Sequence, residues 1–406
     1  MRPVALDEYP AFVHTTGNAF SYHVTDEEIE RDRKSFEPER SLALFDNGRM
    51  VATAGAFSFE LTLPGLTSIP VAGVSYVGVL PTHRRQGILR RMMRHQLDDV
   101  RQRGESVAVL TASETIIYGR FGYGLATSMR DLEIETDHSS FLRPVDDSGR
   151  LVLIDTAEAV KVLPDLHERC RRQQPGDNSR SQTMWEWWFA DLDLEHDREG
   201  AGPLYYVLHE SASGEPDGYA IYRVKLGDDG LSNNQLRLDS LRGLDPTTEA
   251  ALWRYVLDID LVSSVRADKR PVDDALGWML RDPRRLHTTG LWDMLWCRLV
   301  DVPTALAARR YQQDGELVFD VTDAFCPWNE GRLRLAGGPA GAECAAGSGD
   351  ADLAVSATDL GATYLGGVSF STLARAGRVT ELQPGALARA DAMFASTPAP
   401  WTTTGF

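Results

Sequence analysis

The sequence of 406 residues is poor in cysteine, in positive charge and in long hydrophobic runs. Its four cysteines, Cys170, Cys297, Cys326 and Cys344, form no CxxC pair and no zinc-ligand spacing with histidine, which argues against a disulfide framework and a structural metal. Residues 1–20 lack the apolar core of a secretory signal, and no run reaches the roughly 18 apolar residues of a membrane span. These absences predict a cytoplasmic protein without a metal site.

Negative charge dominates, with 42 Lys and Arg residues against 59 Asp and Glu residues and a formal net charge of −17. Such an acidic excess disfavours nucleic acid and anionic membranes as partners, because both demand clustered cations. Any site for a polyanion must therefore be a local basic cluster. The hydrophobic content of 43% suffices for packed cores, and at about 150 residues per domain the length predicts two or three domains.

Apolar runs separated by turn residues predict an α/β chain. In the first unit, Asp46-Asn47-Gly48 joins the apolar runs 41–45 and 50–60, which is a strong hairpin signal. A strand over 74–79, an amphipathic helix over 88–103 and a strand over 106–111 follow. This order of hairpin, strand and helix returns after about residue 152. The repeat is one of layout and not of sequence.

The second unit has predicted strands and a helix at 204–209, 219–225, 235–244 and 247–259, with a turn at 216–218. The last third combines short helices with two predicted strands, 316–321 and 332–335, and a Gly/Ala-rich loop over 337–349. The chain ends on the aromatic residue Phe406, although terminal segments are usually exposed to solvent.

The most informative stretch is a strand, loop and helix at 77–90. It contains, in order, Val77, Gly78 and Val79 at the end of the strand, and then Arg84, Arg85, Gln86, Gly87, Ile88, Leu89 and Arg90. The first N–H groups of a helix have no internal acceptor and favour an anion. Seven arginines and only two acids lie between Arg84 and Arg103, which forms the local basic cluster. The alternative is a solvated helix face behind an ordinary turn.

A second group of residues follows, with Ser113 and Glu114 ahead of Tyr118, Gly122 and Tyr123. A phenol, whose ordinary pKa is about 10, can act as a general acid, which makes Tyr118 a candidate for that role. The alternative is a tyrosine packed in the core with its hydroxyl bonded to a carbonyl.

These motifs resemble those of the GNAT acetyltransferases. The loop is similar to the family's R/Q-x-x-G-x-G/A pyrophosphate loop, with Leu89 in place of the second small residue, and Tyr118 with Gly122-Tyr123 matches Tyr-x-x-x-Gly-Phe/Tyr. Together with Ala112-Ser113-Glu114 and Tyr219 to Arg223, they are similar to the Eis N-acetyltransferases of actinobacteria across the whole chain. The resemblance implies tandem GNAT folds, the second degenerate, and an α+β sterol-carrier-protein-like domain, over residues 1–145, 146–292 and 293–406.

The resemblance also implies the activity and its residues. Val77, Gly78 and Val79 would meet the pantetheine of acetyl-CoA, Arg85 to Arg90 its pyrophosphate, and Ser113 with Glu114 the far wall of its site. The C-terminal carboxylate of Phe406 would be the base, beside Tyr118 as the acid. The implied acceptors are amines of aminoglycoside, polyamine or lysine type, acetylated at one or several positions by a homohexamer.

The second unit lacks this chemistry, since Asp245 and Glu249 stand where the basic loop should be and acids there cap the helix and repel phosphate. The tryptophans Trp185, Trp187 and Trp188 are predicted to be core or interface residues. Three other functions stay open: a lipid or sterol-type binding protein, a tandem-GNAT aminoacyltransferase and a catalytically silent acetyl-CoA sensor.

Overall fold

The computed structural model describes residues 1–192, 198, 200–227 and 232–406, with the backbone alone at 187, 188 and 190–192. The described residues form two compact units. The first unit comprises Met1–Thr127, Pro175–Asn178 and Met294–Phe406, and the second comprises Ser128–Gln174 and Ser179–Asp293.

Among the α-helices of the described residues, six begin at an Asp, Ser or Thr cap, as expected where a side-chain oxygen accepts a free N–H. The helices are α1 (Tyr9–Phe20), α2 (Asp26–Asp32), α3 (Ile88–Gln102), α4 (Thr115–Tyr118), α5 (Thr156–Arg171), α6 (Gln182–Leu192), α7 (Pro246–Leu257), α8 (Leu276–Met279), α9 (Val302–Ala308), α10 (Ala357–Thr363), α11 (Phe370–Arg375) and α12 (Ala386–Phe394).

The strands of the described residues belong to three sheets. They are β1 (Leu42–Asp46), β2 (Arg49–Thr62), β3 (Ser68–Val79), β4 (Val107–Thr111), β5 (Gly124–Leu125), β6 (Ser128–Glu135), β7 (Arg150–Ile154), β8 (Tyr205–Glu210), β9 (Pro216–Lys225), β10 (Asn234–Gly243), β11 (Val262–Pro271), β12 (His287–Asp293), β13 (Leu295–Leu299), β14 (Gly315–Thr322), β15 (Gly331–Gly338), β16 (Gly341–Ala346), β17 (Leu353–Ser356) and β18 (Thr380–Glu381).

The first sheet has the order β1-β2-β3-β4-β13-β5. The predicted hairpin is confirmed, since β1 and β2 pair antiparallel around Asn47 and Gly48, both of which have positive φ. The predicted amphipathic helix is α3, which packs Met93, Leu97 and Val100 against this sheet. Burial of such a side chain contributes roughly 1.5–3 kcal/mol, so this face fixes the helix beside β3 and β4.

The second sheet has the order β12-β6-β11-β10-β9-β8-β7 and belongs to the second unit. The predicted turn at 216–218 is wrong, because Pro216 to Gly218 begin β9 and the turn lies at 211–214. Proline is tolerated at the first residue of a strand. Strand β6 precedes residue 145 but pairs here, and β13 follows residue 292 but pairs with β4. The three domain ranges stay a prediction.

The third sheet has the order β16-β15-β14-β17-β18 and belongs to the first unit. The Gly/Ala-rich loop predicted over 337–349 is wrong in its middle, because β16 pairs there with β15. Small residues suit this edge position, since the strand needs only its backbone to pair. Helices α10, α11 and α12 accompany this sheet, and the aromatic rings of Phe319, Phe370 and Phe394 pack together at its centre.

Candidate active site

Strands β3 and β4 run parallel and part soon after they meet. Their register pairs Ala72 with Ala108 and Gly73 with Val109 and ends there, although β3 continues to Val79. Parallel strands that separate in this way leave a wedge at their carboxyl ends. The backbone of residues 77–79 borders this wedge.

Strand β3 contains a bulge just before its last three residues. Its register with β2 shifts so that Thr53 lies opposite Gly78 and Gly55 opposite Ser75, which leaves one extra residue in β3. Within this shift Tyr76 has a φ of 56°, in the left-handed region. A bulge of this kind twists a strand and re-aims its groups, and here it precedes Val77 directly.

Helix α3 begins at the mouth of the same loop. Its N-cap is Gly87, with a φ of 76° and no side-chain cap, and its first turn holds no acid. The N–H groups that start the helix therefore lack a side-chain acceptor, and with the macrodipole they favour an anion. A Cβ on Gly87 would meet no atom within 4 Å, so the glycine is required by its φ and leaves the backbone open to a ligand.

The seven arginines between 84 and 103 divide into two groups. Four are held by the protein through contacts with Ala19, Phe325, Trp328 and Asp99, namely Arg84, Arg94, Arg101 and Arg103. The other three lie around the start of α3. The side chains of Arg85 and Arg91 form no hydrogen bond or ion pair with any described residue, and Arg90 lies 5.3 Å from the Phe325 ring centre. The basic cluster available to an anion is therefore smaller than the sequence predicted.

Tyr118 ends the short helix α4 and lies 7% exposed in the core that α3 and the first sheet share. Burial, followed by the nearby Glu114 carboxylate, raises the pKa of Tyr118 to about 12. Its hydroxyl forms no hydrogen bond with any described residue. The structure thus has the core packing of the predicted alternative but not its hydrogen bond to a carbonyl, and the raised pKa keeps the phenol protonated at neutral pH.

Gly122 explains why the motif after Tyr118 contains a glycine. Its φ is 87°, and a Cβ there would come within 2.1 Å of the Arg298 guanidinium. Arg298 is fully buried and pairs with Asp323 at 2.5 Å. Gly122 therefore allows the backbone to turn directly above the Arg298–Asp323 ion pair. The turn places Tyr123 in the core, where its ring contacts that of Tyr118 edge-on, with ring centres 5.9 Å apart.

Ser113 and Glu114 are exposed and follow β4 directly, between Thr111 and α4. Glu114 is the N-cap residue of α4 by position, but its side chain makes no capping bond. Both side chains thus stand at the carboxyl end of β4, on the strand that borders the wedge opposite residues 77–79.

The chain terminus lies at the same end of β4. The Phe406 ring packs on Phe59 with centres 4.8 Å apart, and on Phe57 at 6.4 Å. The Thr111 hydroxyl donates a hydrogen bond of 3.2 Å to a terminal oxygen of Phe406. The ring therefore anchors the terminus on β2, and Thr111 orients its carboxylate.

Sequence reasoning missed two parts of this site. Thr111 belongs to neither of the two motifs found in the sequence, whereas the structure makes it the partner of the Phe406 carboxylate. The segment Pro175–Asn178 lies within the range 146–292 predicted for the second domain, yet it packs in the first unit beside the C-terminal tail. The only signal for its role was its Pro-Gly-Asp-Asn sequence, which is typical of a turn.

The second unit contains a parallel pair that corresponds to β3 and β4. Strands β10 and β11 flank α7, and between them the Arg270 guanidinium donates to the Leu241 carbonyl at 2.9 Å and pairs with Asp274 at 2.7 Å. At the start of α7, Asp245 accepts the N–H groups of Thr247 and Thr248 at 2.8 and 3.1 Å. The predicted capping of this helix by an acid is confirmed for Asp245.

Trp185 is buried between His167 and Phe189, as predicted for a core residue. The side chains of Trp187 and Trp188 lie outside the described residues. In the part of the chain that is described, no three His, Cys, Asp or Glu side chains are grouped so that they could hold a metal ion. No helix among these residues is long and apolar enough to cross a membrane.

Comparison with known proteins extends this picture to the whole chain. Models of the acetyltransferase (GNAT) domain match residues 1–126 and 176–299, and a sterol carrier protein domain model matches residues 302–403. An uncharacterized N-acetyltransferase of Streptomyces avermitilis is 44% identical over 409 residues, covering 100% of this chain and 99% of that protein. N-acetyltransferase Eis of Mycobacterium tuberculosis is 35% identical over 356 residues, covering 86% of this chain and 83% of that protein.

Among solved structures, Eis1 from Mycobacterium abscessus superimposes with a TM-score of 0.88 at 33% identity, covering 100% of this chain and 99% of that chain. A GCN5-related N-acetyltransferase from Anabaena variabilis has a TM-score of 0.84 at 21% identity and supports the fold. The splayed strands, the uncapped helix start and the domain models define a tandem GNAT acyltransferase with a sterol-carrier-like domain. The chain belongs to the Eis family of N-acetyltransferases.

Proposed function

We propose that this protein transfers the acetyl group of acetyl-CoA to a primary amine of a polycationic acceptor of aminoglycoside, polyamine or lysine type. One observation carries the proposal furthest. A terminal carboxylate, oriented by Thr111, lies at the end of β4, the strand that leads directly to Ser113, Glu114 and Tyr118. A carboxylate and a protonated phenol around one wedge are the base and the acid that amine acylation requires.

The cofactor would bind as a co-substrate along the wedge and the start of α3. The backbone of Val77, Gly78 and Val79 would hold the pantetheine arm, with Ser113 and Glu114 on the facing side. The loop and first turn, Arg85, Gln86, Gly87, Ile88, Leu89 and Arg90, would hold the pyrophosphate. The support for this assignment is the open Gly87 backbone and the arginines that form no ion pair with the described residues.

In the proposed reaction, the Phe406 carboxylate holds the acceptor ammonium and takes up its proton, directly or through water. The Val77 N–H polarises the thioester carbonyl as the C–N bond forms and the C–S bond breaks. Tyr118 donates to the departing sulfur. Because the pKa of Tyr118 is about 12 and that of a thiol about 8.5, the phenol first stabilises the thiolate as a hydrogen-bond donor. The ammonium loses two protons as it becomes the amide: the first passes through the Phe406 carboxylate to solvent, and the second reaches the thiolate by way of Tyr118.

The acidic chain suits a cationic acceptor, because a negative field concentrates cations and speeds their encounter with the site. Acetylation at several positions, a homohexamer and a cytoplasmic location belong to the same proposal and rest on the family resemblance. The domain ranges 1–145, 146–292 and 293–406 are proposed on the same ground.

The interior of the sterol-carrier-like region disfavours lipid carriage as the main function. Arg309 is fully buried there, donates to the carbonyls of Tyr364 and Phe394, and lies over the Tyr311 ring at 4.6 Å. A buried guanidinium bonded to two carbonyls fills the centre with a fixed polar group, which an apolar ligand could not replace without leaving it unpaired.

The test is thiol release from acetyl-CoA over a panel of aminoglycosides, polyamines and lysine peptides. We expect turnover with polycationic amines and a large loss on deletion of Phe406. Phe406→Leu is the matched control, because it keeps a terminal carboxylate and an apolar anchor. Unchanged turnover in the deletion variant would refute the role of the terminus, and absence of turnover with every amine would refute the proposed reaction.

A further inference from the structure

The C-terminal tail reaches the site without forming a helix or strand, so its position depends on contacts with other segments of the chain. Residues 395–406 contain no regular element, yet Trp401, Thr402 and Thr404 are buried. A chain end without such contacts is usually mobile. The question is which contacts hold the last residues where Thr111 meets Phe406.

The segment Pro175–Asn178 supplies these contacts from the middle of the chain. The residues on both sides of it, up to Gln174 and from Ser179, belong to the second unit, whereas the four residues themselves pack in the first. On one side they extend the first sheet, since Gly176 N–H donates to Thr62 O at 2.7 Å and Thr62 N–H donates to Asp177 O at 3.0 Å. The segment is therefore fixed to the end of β2, the strand that also carries Phe59.

On its other side the segment binds the tail. The Trp401 N–H donates to Pro175 O at 2.8 Å, and the Thr402 hydroxyl donates to Asp177 Oδ1, also at 2.8 Å. Asp177 and Thr402 are both 0% exposed. A buried carboxyl oxygen and a buried hydroxyl each need a partner. Here they bond to one another, and the same carboxyl oxygen also accepts the Asn178 N–H at 3.1 Å.

The Thr402 hydroxyl also binds the backbone closer to the terminus. It accepts the Thr404 N–H at 3.0 Å, so a single oxygen links Asp177 to a residue two positions before Phe406. Gly176 adds a steric constraint, because its φ is 86° and a Cβ there would lie 3.1 Å from Trp401 N. The tail is thus seated closely against the segment.

We propose that Asp177, through Thr402, is a positioning residue that holds the C-terminal carboxylate of Phe406 at the reacting amine. The inference rests on the proposed function, in which this carboxylate takes part in catalysis. It also assigns a task to a residue within 176–299, the range that the second GNAT domain model matches. A displacement of about 1 Å can reduce turnover on the order of a hundredfold, so a released tail should be costly.

The experiment compares Asp177→Ala and Thr402→Val with two matched controls in the full-length protein. Thr402→Ser keeps the hydroxyl, and Thr363→Val removes a hydroxyl from an equally buried threonine on α10, where it bonds only to carbonyls of its own helix. Two quantities are measured in each variant. One is the rate at which a carboxypeptidase releases Phe406, and the other is the set of steady-state constants with acetyl-CoA and a polyamine.

We expect Asp177→Ala and Thr402→Val to raise the release rate at least tenfold and to lower kcat at least tenfold, with the KM for acetyl-CoA unchanged. Thr402→Ser and Thr363→Val should match the wild type in both. An unchanged release rate in both test variants would overturn the proposal. Faster release with unchanged kcat would show a held but non-catalytic terminus, which overturns the role of Phe406 in the proposed function and leaves the anchoring contact in place.

Discussion

The two GNAT-like folds share a unit of strand, helix and strand, β3-α3-β4 in one and β10-α7-β11 in the other. The two units differ in the gap between their parallel strands and in the start of their helix. In the first, the strands part after two residue pairs and the helix starts at an exposed glycine without a side-chain cap. In the second, the strands pair over five residues, Arg270 bonds to Leu241 and Asp274 beyond them, and Asp245 caps the helix.

This difference teaches that the topology alone does not make a coenzyme site. A parallel strand pair with a crossover helix provides a wedge and a set of free N–H groups in both folds. In the second fold these are used internally, by one buried guanidinium and one carboxylate. The groups that bind within the protein in the second fold are the ones that would otherwise bind a ligand. The motif can therefore use them for stability or for ligand binding, but not for both.

The largest expected effect concerns Tyr118, the proposed acid of the first fold. Tyr118→Phe should lower kcat roughly 10²–10⁴-fold, the usual contribution of a general acid, with the KM for acetyl-CoA unchanged. Tyr255→Phe, which removes a phenol bonded to Tyr222 in the second fold, is the control and should keep full activity. Because the pKa of Tyr118 is about 12, wild-type activity should show no loss from this phenol between pH 8 and 10. Equal kcat values for the two variants would contradict the assignment.

The next effect tests whether Arg270 is structural. Removal of one partner from a buried ion pair costs about 3–5 kcal/mol, so Arg270→Met should lower the free energy of unfolding by that amount, measured by urea denaturation. The double variant Arg270→Met/Asp274→Leu should recover most of the loss, since no charge is then left unpaired. Acetyl-CoA should still bind with a stoichiometry of one per chain by calorimetry, because Asp245 continues to occupy the start of α7. A second acetyl-CoA binding site in either variant would contradict the view that Asp245 closes the start of α7 to the coenzyme.

A smaller effect is expected at the basic loop. Arg85→Glu reverses a charge beside the proposed pyrophosphate site and should raise the KM for acetyl-CoA about tenfold, or roughly 1.4 kcal/mol, with little change in kcat. The effect should shrink as salt rises, since exposed charges are screened. Arg143→Glu, at an exposed arginine of the second unit, is the control. A similar KM shift in both variants would indicate a general effect of charge.

The smallest effect sharpens the contrast between the two helix starts. Asp245→Ala removes the cap of α7 and should cost about 1 kcal/mol of unfolding free energy, with unchanged acetylation kinetics. Leu89→Asp would place an acid near the start of α3 and should instead weaken acetyl-CoA binding without affecting α7. A loss of activity in Asp245→Ala at full stability would mean that the second helix start serves the reaction.

Local patterns predicted much of the fold. The Asn47-Gly48 turn, the apolar period of α3 and the Asp245 cap depend on neighbours within about four residues, and the structure confirms each. The predictions at 216–218 and 337–349 failed because they relied on Pro and Gly alone. At these places pairing with a neighbouring strand outweighed the preference of single residues.

The candidate site was predicted in part for the same reason. Residues 77–90 and 113–123 form two continuous stretches, so their roles could be inferred from order and spacing. The partners of the terminus could not, because Thr111 and Asp177 are separated from the tail by 295 and 225 residues in the hydrogen bonds they make. Nor could the sequence show which arginines of the basic cluster were already held by Phe325, Trp328 and Asp99.

The sequence by itself determined the secondary-structure elements and the functional groups that the chain carries. These are an acidic overall composition, one basic loop, a phenol at a set number of residues after that loop, and an aromatic last residue. Backbone preference, apolar periodicity and charge are local properties, so these could be inferred without coordinates. The tertiary structure alone decided that β3 and β4 part, that Arg270 occupies the corresponding place in the second fold, and that Thr111 and Asp177 hold the tail. Those outcomes depend on buried hydrogen bonds between residues far apart in the chain, whose partners no local pattern specifies.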